Sequence, residues 1–172
     1  LMHFVKGPDF PTGGIIQGRQ GIKDAFETGR GRIVIRSKTE IEVNDSGRET
    51  IVVTEIPYMV NKREMIEKIA ELVENKKIDG IAYINDETTM KGVRIVIRLK
   101  KDANSNVVLN TLFKYTPLQS SFSVNNVALV NGRPRTLNLK QLIKYFVRHR
   151  HEVILRRTKF DLEKAQKRAH IL

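Results

Sequence analysis

Four tyrosines are candidate nucleophiles in this sequence: Tyr58, Tyr83, Tyr115 and Tyr145. Two of them, Tyr115 and Tyr145, follow a lysine, and a neighbouring cation favours the ionised form of a phenol. Each tyrosine nevertheless lies in a segment of apolar periodicity, where a place in the core or at its rim is the better interpretation. The tyrosines therefore define no catalytic site.

The sequence also lacks a convincing metal-binding or nucleotide-binding motif. His149 and His151 lie two positions apart, so on a helix they point to different faces and make a poor metal pair. Asp86 and Glu87 are adjacent in a predicted turn, where carboxylates are usually only solvated. The sequence has no Gly-Lys-Ser/Thr phosphate loop. We therefore expect this chain to hold no metal and no cofactor.

The segment from Gly7 to Ile16 has the most unusual composition, with two prolines and three glycines before two adjacent isoleucines. Proline fixes φ and cannot donate to a sheet ladder, while glycine reaches backbone conformations that other residues avoid. The segment is therefore predicted to be a shaped loop that delivers Ile15 and Ile16 to a specific place. They either plug the core or press into a partner.

Charge indicates the kind of partner. The 172 residues carry 31 Lys and Arg against 19 Asp and Glu, a formal net charge of +12. Such a domain normally meets a polyanion, so ribosomal RNA, DNA and an anionic membrane surface are all compatible with charge alone. No apolar run approaches the roughly 20 residues that span a bilayer. The absence of cysteine and of a signal-peptide pattern fits a cytoplasmic protein.

The elements that must position these residues follow from hydrophobic periodicity. Apolar and charged residues alternate over 32–43, which predicts one strand whose buried face carries Ile33, Ile35, Ile41 and Val43. The predicted order is a helix over 22–28, a hairpin over 32–56, a helix begun by Asn61, strands over 81–84 and 93–99, a helix over 105–114, an extended segment over 121–130, and a long helix capped by Asn138.

This order predicts an α+β fold, a two-layer sandwich with helices on one face of a mostly antiparallel sheet. The long helix is expected to leave that sandwich, which places a domain boundary near Asn138. We thus predict one domain over 1–137 and the start of a long helix over 138–172. The first residue is not Met, and Leu172 lies within helix-like sequence, so we expect an excised fragment of a longer protein.

Ten short motifs, taken in order, resemble the breakage-reunion subunit of bacterial type IIA topoisomerases. The resemblance covers essentially the whole chain and is closer to the gyrase branch than to the topoisomerase IV branch. The motifs are Gly-Pro-Asp-Phe-Pro-Thr (7–12), Thr-Gly-Arg-Gly-Arg (28–32), Val-Thr-Glu-Ile-Pro-Tyr (53–58), Asn-Lys-Arg-Glu (61–64), Ile-Asn-Asp-Glu (84–87), Leu-Gln-Ser-Ser-Phe-Ser-Val-Asn (118–125), Asn-Gly-Arg-Pro (131–134), Phe-Val-Arg-His-Arg-His-Glu-Val (146–153), Arg-Arg-Thr (156–158) and Lys-Arg-Ala-His-Ile-Leu (167–172).

The resemblance implies that residues 1–137 form the tower domain that flanks the cleaved double-stranded DNA. It implies that an isoleucine after the Pro-Thr motif inserts between base pairs and bends the duplex, a role that falls on Ile16, with Ile15 beside it. An apolar wedge of this kind costs roughly a few kcal/mol of unstacking and exposes more phosphate to the protein. The expected DNA-backbone contacts are Arg19, Arg30, Arg32, Ser121 and Asn125.

The resemblance also implies an ATP-dependent enzyme whose chemistry lies outside this chain. The family's nucleophilic tyrosine follows an arginine, a context that none of the four tyrosines has, so the fragment alone is expected to be inactive. Magnesium and ATP are expected to act through the partner ATPase, which is the B subunit in the gyrase branch, within an assembly of two A and two B subunits. A topoisomerase IV fragment and a stand-alone basic RNA-binding module are the alternatives.

Overall fold

The computed structural model describes all 172 residues and contains nine strands and four helices. The α+β class is therefore confirmed. In chain order the elements are β1 (Ile15–Gln17), α1 (Gln20–Thr28), β2 (Arg30–Arg36), β3 (Lys38–Val43), β4 (Glu49–Glu55), α2 (Lys62–Glu74), β5 (Ile81–Asp86), β6 (Ile95–Leu99), α3 (Ser105–Tyr115), β7 (Gln119–Asn125), β8 (Val127–Val130), β9 (Arg133–Thr136) and α4 (Leu139–Ile171).

The chain divides into two compact units. The sheet unit comprises residues 7–22 and 32–123, and the hairpin–helix unit comprises residues 1–6, 23–31 and 124–172. This division falls at other positions than the predicted boundary near Asn138, and the domain assignment of 1–137 stays a prediction. No helix is both long enough and apolar enough to cross a membrane.

The core of the sheet unit lies between a four-stranded antiparallel sheet and two helices. The strand order is β3-β4-β6-β5, and α2 and α3 contribute to the same buried cluster. Side chains alternate between the two faces of a strand, so every second residue of β4 and β6 points at the helices. Burying each of these side chains stabilises the fold by about 1.5–3 kcal/mol. The cluster includes Ile51, Val53, Ile95, Ile97, Leu99, Met65, Ile69, Leu72, Val108 and Leu112.

The single strand predicted over 32–43 is wrong, because the chain changes sheet at Ser37. Strand β2 belongs to a three-stranded sheet of order β1-β2-β7, whereas β3 is an edge of the four-stranded sheet. The Ser37 backbone N–H donates to the carbonyl of Leu118 at 2.9 Å. The predicted burial of Ile41 and Val43 is also wrong, because these side chains are 38% and 64% exposed.

The extended segment predicted over 121–130 is likewise two strands, β7 and β8, which meet at Asn126. The Asn126 N–H donates to the Gly29 carbonyl at 2.8 Å, and its own carbonyl accepts from Leu137 at 2.8 Å. Strands β8 and β9 form a hairpin whose turn is Asn131 and Gly132. Both residues have positive φ, 52° and 78°, as a tight two-residue hairpin turn requires.

The helix starts are confirmed in atomic detail. The Asn61 side chain accepts from the Glu64 N–H at 3.1 Å, and Asn138 forms a reciprocal capping box with Gln141. Within α2, Arg63 and Glu67 form an ion pair at 3.3 Å. Helix α4 runs for 33 residues without a buried side chain.

Candidate nucleic-acid interface

The three-stranded sheet presents two chemically different faces, and the two isoleucines lie on opposite ones. In the antiparallel β1–β2 pair, Ile15 lies opposite Arg36 and Ile16 lies opposite Ile35. Residues directly opposite each other share a face of the sheet. Because Ile35 is only 1% exposed, Ile16 faces the buried side, whereas Ile15 is 50% exposed.

The packing of Ile16 agrees with this assignment. A Cβ placed on Gly7 would lie 3.7 Å from Ile16 Cδ1 and 3.1 Å from Ile22 Cδ1, so both side chains lie against the Gly7 backbone. Ile22 is buried. The position of this side chain gives no support to the predicted wedge role of Ile16, which stays a prediction. The half-exposed residue of the pair is Ile15.

The exposed side of this sheet carries arginines whose side chains are held in place. Arg32 Nε donates to Ser121 Oγ at 2.9 Å, and Arg36 Nε donates to Gln119 Oε1 at 2.6 Å. The Arg36 guanidinium also lies 4.6 Å from the centre of the Phe113 ring. We call this side the polar face and define it by six residues: Ile15, Gln17, Arg32, Arg36, Gln119 and Ser121.

Three aromatic rings tie the N-terminal loop to the sheet unit. The ring centres of Phe10, Tyr58 and Phe122 lie 5.3 to 5.5 Å apart in all three pairs. Such tilted and edge-to-face contacts add about 0.5–1.5 kcal/mol per pair beyond the buried area. The cluster therefore joins three of the sequence motifs, which are distant in the chain, at the base of the loop that leads to β1.

The loop itself is shaped by Gly13. Its φ is +73°, a conformation that favours glycine, and a Cβ there would overlap the Glu55 carboxylate. The Gly13 N–H donates to the Phe10 carbonyl at 3.0 Å, which closes a turn just after the aromatic contact. The loop thus fixes the path of the chain into β1.

The predicted DNA-contact residues lie in different parts of the structure. Arg32 and Ser121 are brought together on the polar face, and Arg19 is exposed between β1 and α1. Arg30 and Asn125 are exposed and belong to the hairpin–helix unit. The predicted set lacks Arg36. Its place in the same alternating pattern as Arg32 is the signal that could have identified it.

The adjacent carboxylates at 86 and 87 are ion-paired. Asp86 lies 2.9 Å from Lys62 Nζ, and Glu87 lies 3.2 Å from Arg94 Nε. Hydrogen bonding by Thr88, followed by that of Lys62, lowers the pKa of Asp86. No group of three or more His, Asp or Glu residues is arranged to hold a metal ion. Asp86 therefore joins the end of β5 to α2, and Glu87 closes the connection between β5 and β6.

Each of the four tyrosines contacts an aromatic ring or a cationic side chain. Tyr58 belongs to the aromatic cluster, and Tyr83 lies 5.5 Å from the Arg98 guanidinium. Tyr115 is 5.3 Å from Lys114 Nζ, while the Tyr145 hydroxyl accepts from Arg135 at 3.3 Å. These partners are aromatic rings and cations, and none of them could accept a proton from a phenol as a general base.

Comparison with known proteins covers the whole chain. Residues 1–172 match the family described as the A subunit of DNA gyrase/topoisomerase IV. The chain is 56% identical over 172 residues to the DNA gyrase A subunit of Clostridium acetobutylicum. It is 57% identical over 173 residues to the proteins of that name from Staphylococcus epidermidis and Staphylococcus aureus. These alignments use 100% of this chain but only 21%, 19% and 20% of the relatives, so the chain spans about a fifth of their length.

Proposed function

Because the chain belongs to the family of DNA gyrase/topoisomerase IV A subunits, we propose that it is a DNA-binding part of a gyrase A subunit. The intact enzyme would pass one duplex through a transient break in another, driven by ATP, and introduce negative supercoils. The identities to gyrase proteins support the gyrase branch over topoisomerase IV. Family membership excludes a stand-alone RNA-binding module. In this reaction, the chain would bind and orient the duplex.

The observation that carries this proposal is the restrained guanidinium of Arg32. Its Nε is occupied by Ser121, so the two terminal nitrogens remain available in a fixed plane. A guanidinium held this way matches the two oxygens of a phosphate and loses little conformational entropy on binding. Arg36 is restrained on the same face. The face thus suits the backbone of a duplex irrespective of its sequence.

We also propose that an isoleucine bends the duplex, and we assign this role to Ile15 instead of Ile16. Ile15 is half exposed on the polar face, and a wedge must protrude beside the groups that hold the backbone. Ile16 faces the buried side of the sheet, like Ile35, and packs there.

Strand breakage itself is assigned to groups outside this chain. The donor set here does not fit magnesium, because Asp86 and Glu87 are already paired with Lys62 and Arg94. The proposal therefore places magnesium and ATP in the partner ATPase, the B subunit, and the nucleophilic tyrosine elsewhere in the A subunit. In a cytoplasmic assembly of two A and two B subunits, this chain would position the duplex for cleavage and would not cleave it alone.

An equilibrium DNA-binding titration of the intact A subunit over a range of salt concentrations tests the proposal. The Arg32→Gln variant should bind more weakly, and the slope of log K against log salt should fall by about 0.9, as expected for one lost phosphate contact. Arg63→Gln is the matched control, since Arg63 is exposed on α2 and pairs with Glu67. An Arg32→Gln variant that binds like the wild type at every salt concentration would refute the proposal.

A further inference from the structure

An open groove of about 700 Å³ adjoins the polar face within the sheet unit. One wall is formed by Arg32, Gln119 and Ser121 of the sheet, and the other by α2 and the last turn of α3. We call it the side groove. Because Arg32 and Ser121 belong to both surfaces, the side groove continues the polar face and does not form a separate pocket.

Cations dominate the charged side chains of this groove. Lys68 and Lys114 line it together with Arg32, and Glu64 is the one acid among the lining residues. Neither lysine is in an ion pair, since those of α2 use Lys62 and Arg63 and no residue of α3 forms one. The positive charge of both lysines is therefore available to a ligand.

The end of α3 would by itself repel an anion, because the C-terminus of a helix carries partial negative charge. Two features offset this. Thr116 covers the Leu112 carbonyl with its backbone N–H at 3.0 Å and its hydroxyl at 2.6 Å. Lys114, the basic residue of the last turn, lies beside it. The groove thus retains a net positive lining at the helix end.

We propose that the side groove binds the phosphate backbone of the duplex where it runs beyond the polar face, with Lys68 and Lys114 as phosphate contacts. The inference rests on the proposed function, because it extends the same DNA path from Arg32. An open groove with separated cations suits successive phosphates of a strand better than a single small anion, which would need convergent donors. Tyr115, 55% exposed at the rim, adds a flat surface against which a sugar can pack.

Salt-dependent duplex binding by the intact A subunit tests this inference. The Lys68→Gln/Lys114→Gln double variant should bind more weakly and lower the slope of log K against log salt by about 2, roughly 0.9 for each lost contact. The Lys68→Arg/Lys114→Arg variant should restore the slope. The matched control is Lys100→Gln/Lys101→Gln, because these exposed lysines line a different cavity at the N-terminal end of α3, about 16 Å away along its 11 residues.

The outcomes separate this inference from the proposed function. If Arg32→Gln weakens binding while the Lys68/Lys114 variant behaves like the wild type or like the Lys100/Lys101 control, the side groove is refuted and the polar face stands. If neither variant matters, both fail. If the double variant binds DNA normally but loses association with the B subunit, the groove binds an acidic protein segment and the inference is wrong.

Discussion

Arg32 and Ser121 are 89 residues apart in the chain, and a 2.9 Å hydrogen bond from Nε to Oγ joins them on the exposed side of the three-stranded sheet. The bond uses Nε, the guanidinium nitrogen that is bonded to the side-chain carbon Cδ. The two terminal nitrogens then remain free to donate to a ligand. This relationship turns a flexible surface arginine into a fixed donor pair, which is the property that recognition of a phosphate backbone requires.

Removal of the Ser121 hydroxyl should weaken DNA binding without unfolding the protein. A hydrogen bond to a charged group contributes about 1.5–3 kcal/mol when it is sheltered, and less at an exposed site such as this one. We expect the affinity of Ser121→Ala to fall severalfold in a fluorescence-anisotropy titration of the intact protein, with an unchanged melting temperature. Ser121→Thr keeps the hydroxyl and should bind like the wild type. Equal affinity of Ser121→Ala and wild type would show that the bond does not organise Arg32.

The two isoleucines should respond to truncation in opposite ways. Ile16→Ala removes packing against Gly7 and the buried face, so the free energy of unfolding of the chain should fall by about 1–2 kcal/mol in urea titrations. Ile15→Ala removes a half-exposed side chain and should change it by no more than about 0.5 kcal/mol. Equal losses of stability in the two variants would contradict their placement on opposite faces.

DNA bending should depend on Ile15 and not on Ile16. In a fluorescence energy-transfer assay on a doubly labelled duplex, Ile15→Ala in the intact protein should reduce bending, whereas Ile16→Ala should leave the bend angle unchanged. Ile15→Val serves as the conservative control. Loss of bending in Ile16→Ala, at unchanged stability, would return the wedge to Ile16. Unchanged bending in both variants would remove the wedge from this chain.

Gly21 lets α1 approach β2 at the position of Arg32. A Cβ at this residue would overlap the Arg32 carbonyl oxygen, and backbone cannot yield as a flexible side chain can. Gly21→Ala should therefore destabilise the chain by about 1–3 kcal/mol despite the higher helix propensity of alanine. Lys23→Ala, at an exposed position of the same helix, is the control and should be nearly neutral in the same urea titration. A Gly21→Ala variant as stable as the control would contradict this close approach.

The aromatic cluster should show energetic coupling. In a double-mutant cycle with Phe10→Leu and Tyr58→Leu, we expect a coupling free energy of about 0.5–1.5 kcal/mol from thermal or urea unfolding. Coupling indistinguishable from zero would contradict a stabilising contact between the two rings. The same cycle on Phe10 and Phe122 should give a similar value.

Local signals in the sequence are enough for the helices. Asn61 and Asn138 predict two helix starts because a capping side chain acts within three residues of its own position. Ser37 and Asn126 give no such signal, since neither is a glycine or proline and the alternation of side chains passes through both. At each site the partner that ends the strand, Leu118 or Gly29, is far away in sequence.

The site is predictable only in part for the same physical reason. Alternation shows that Ile15 and Ile16 face opposite ways, but not which way is out. The register with Ile35 decides that, and register is a property of the folded sheet. Similarly, Arg32 and Ser121 can each be suggested as DNA contacts, yet their hydrogen bond depends on strands that lie together only after folding.

Site-directed cross-linking measures contact between the polar face and DNA most directly. The chain has no cysteine, so Gln17→Cys introduces a single thiol into it, on the polar face beside Ile15. Ser46→Cys, in the exposed turn between β3 and β4, is the matched control. With an intact A subunit whose other cysteines are replaced and a duplex bearing thiol-tethered phosphates, we predict a disulfide cross-link for Gln17→Cys and little for Ser46→Cys. Equal cross-linking of the two, or none at position 17, would contradict DNA binding by the polar face.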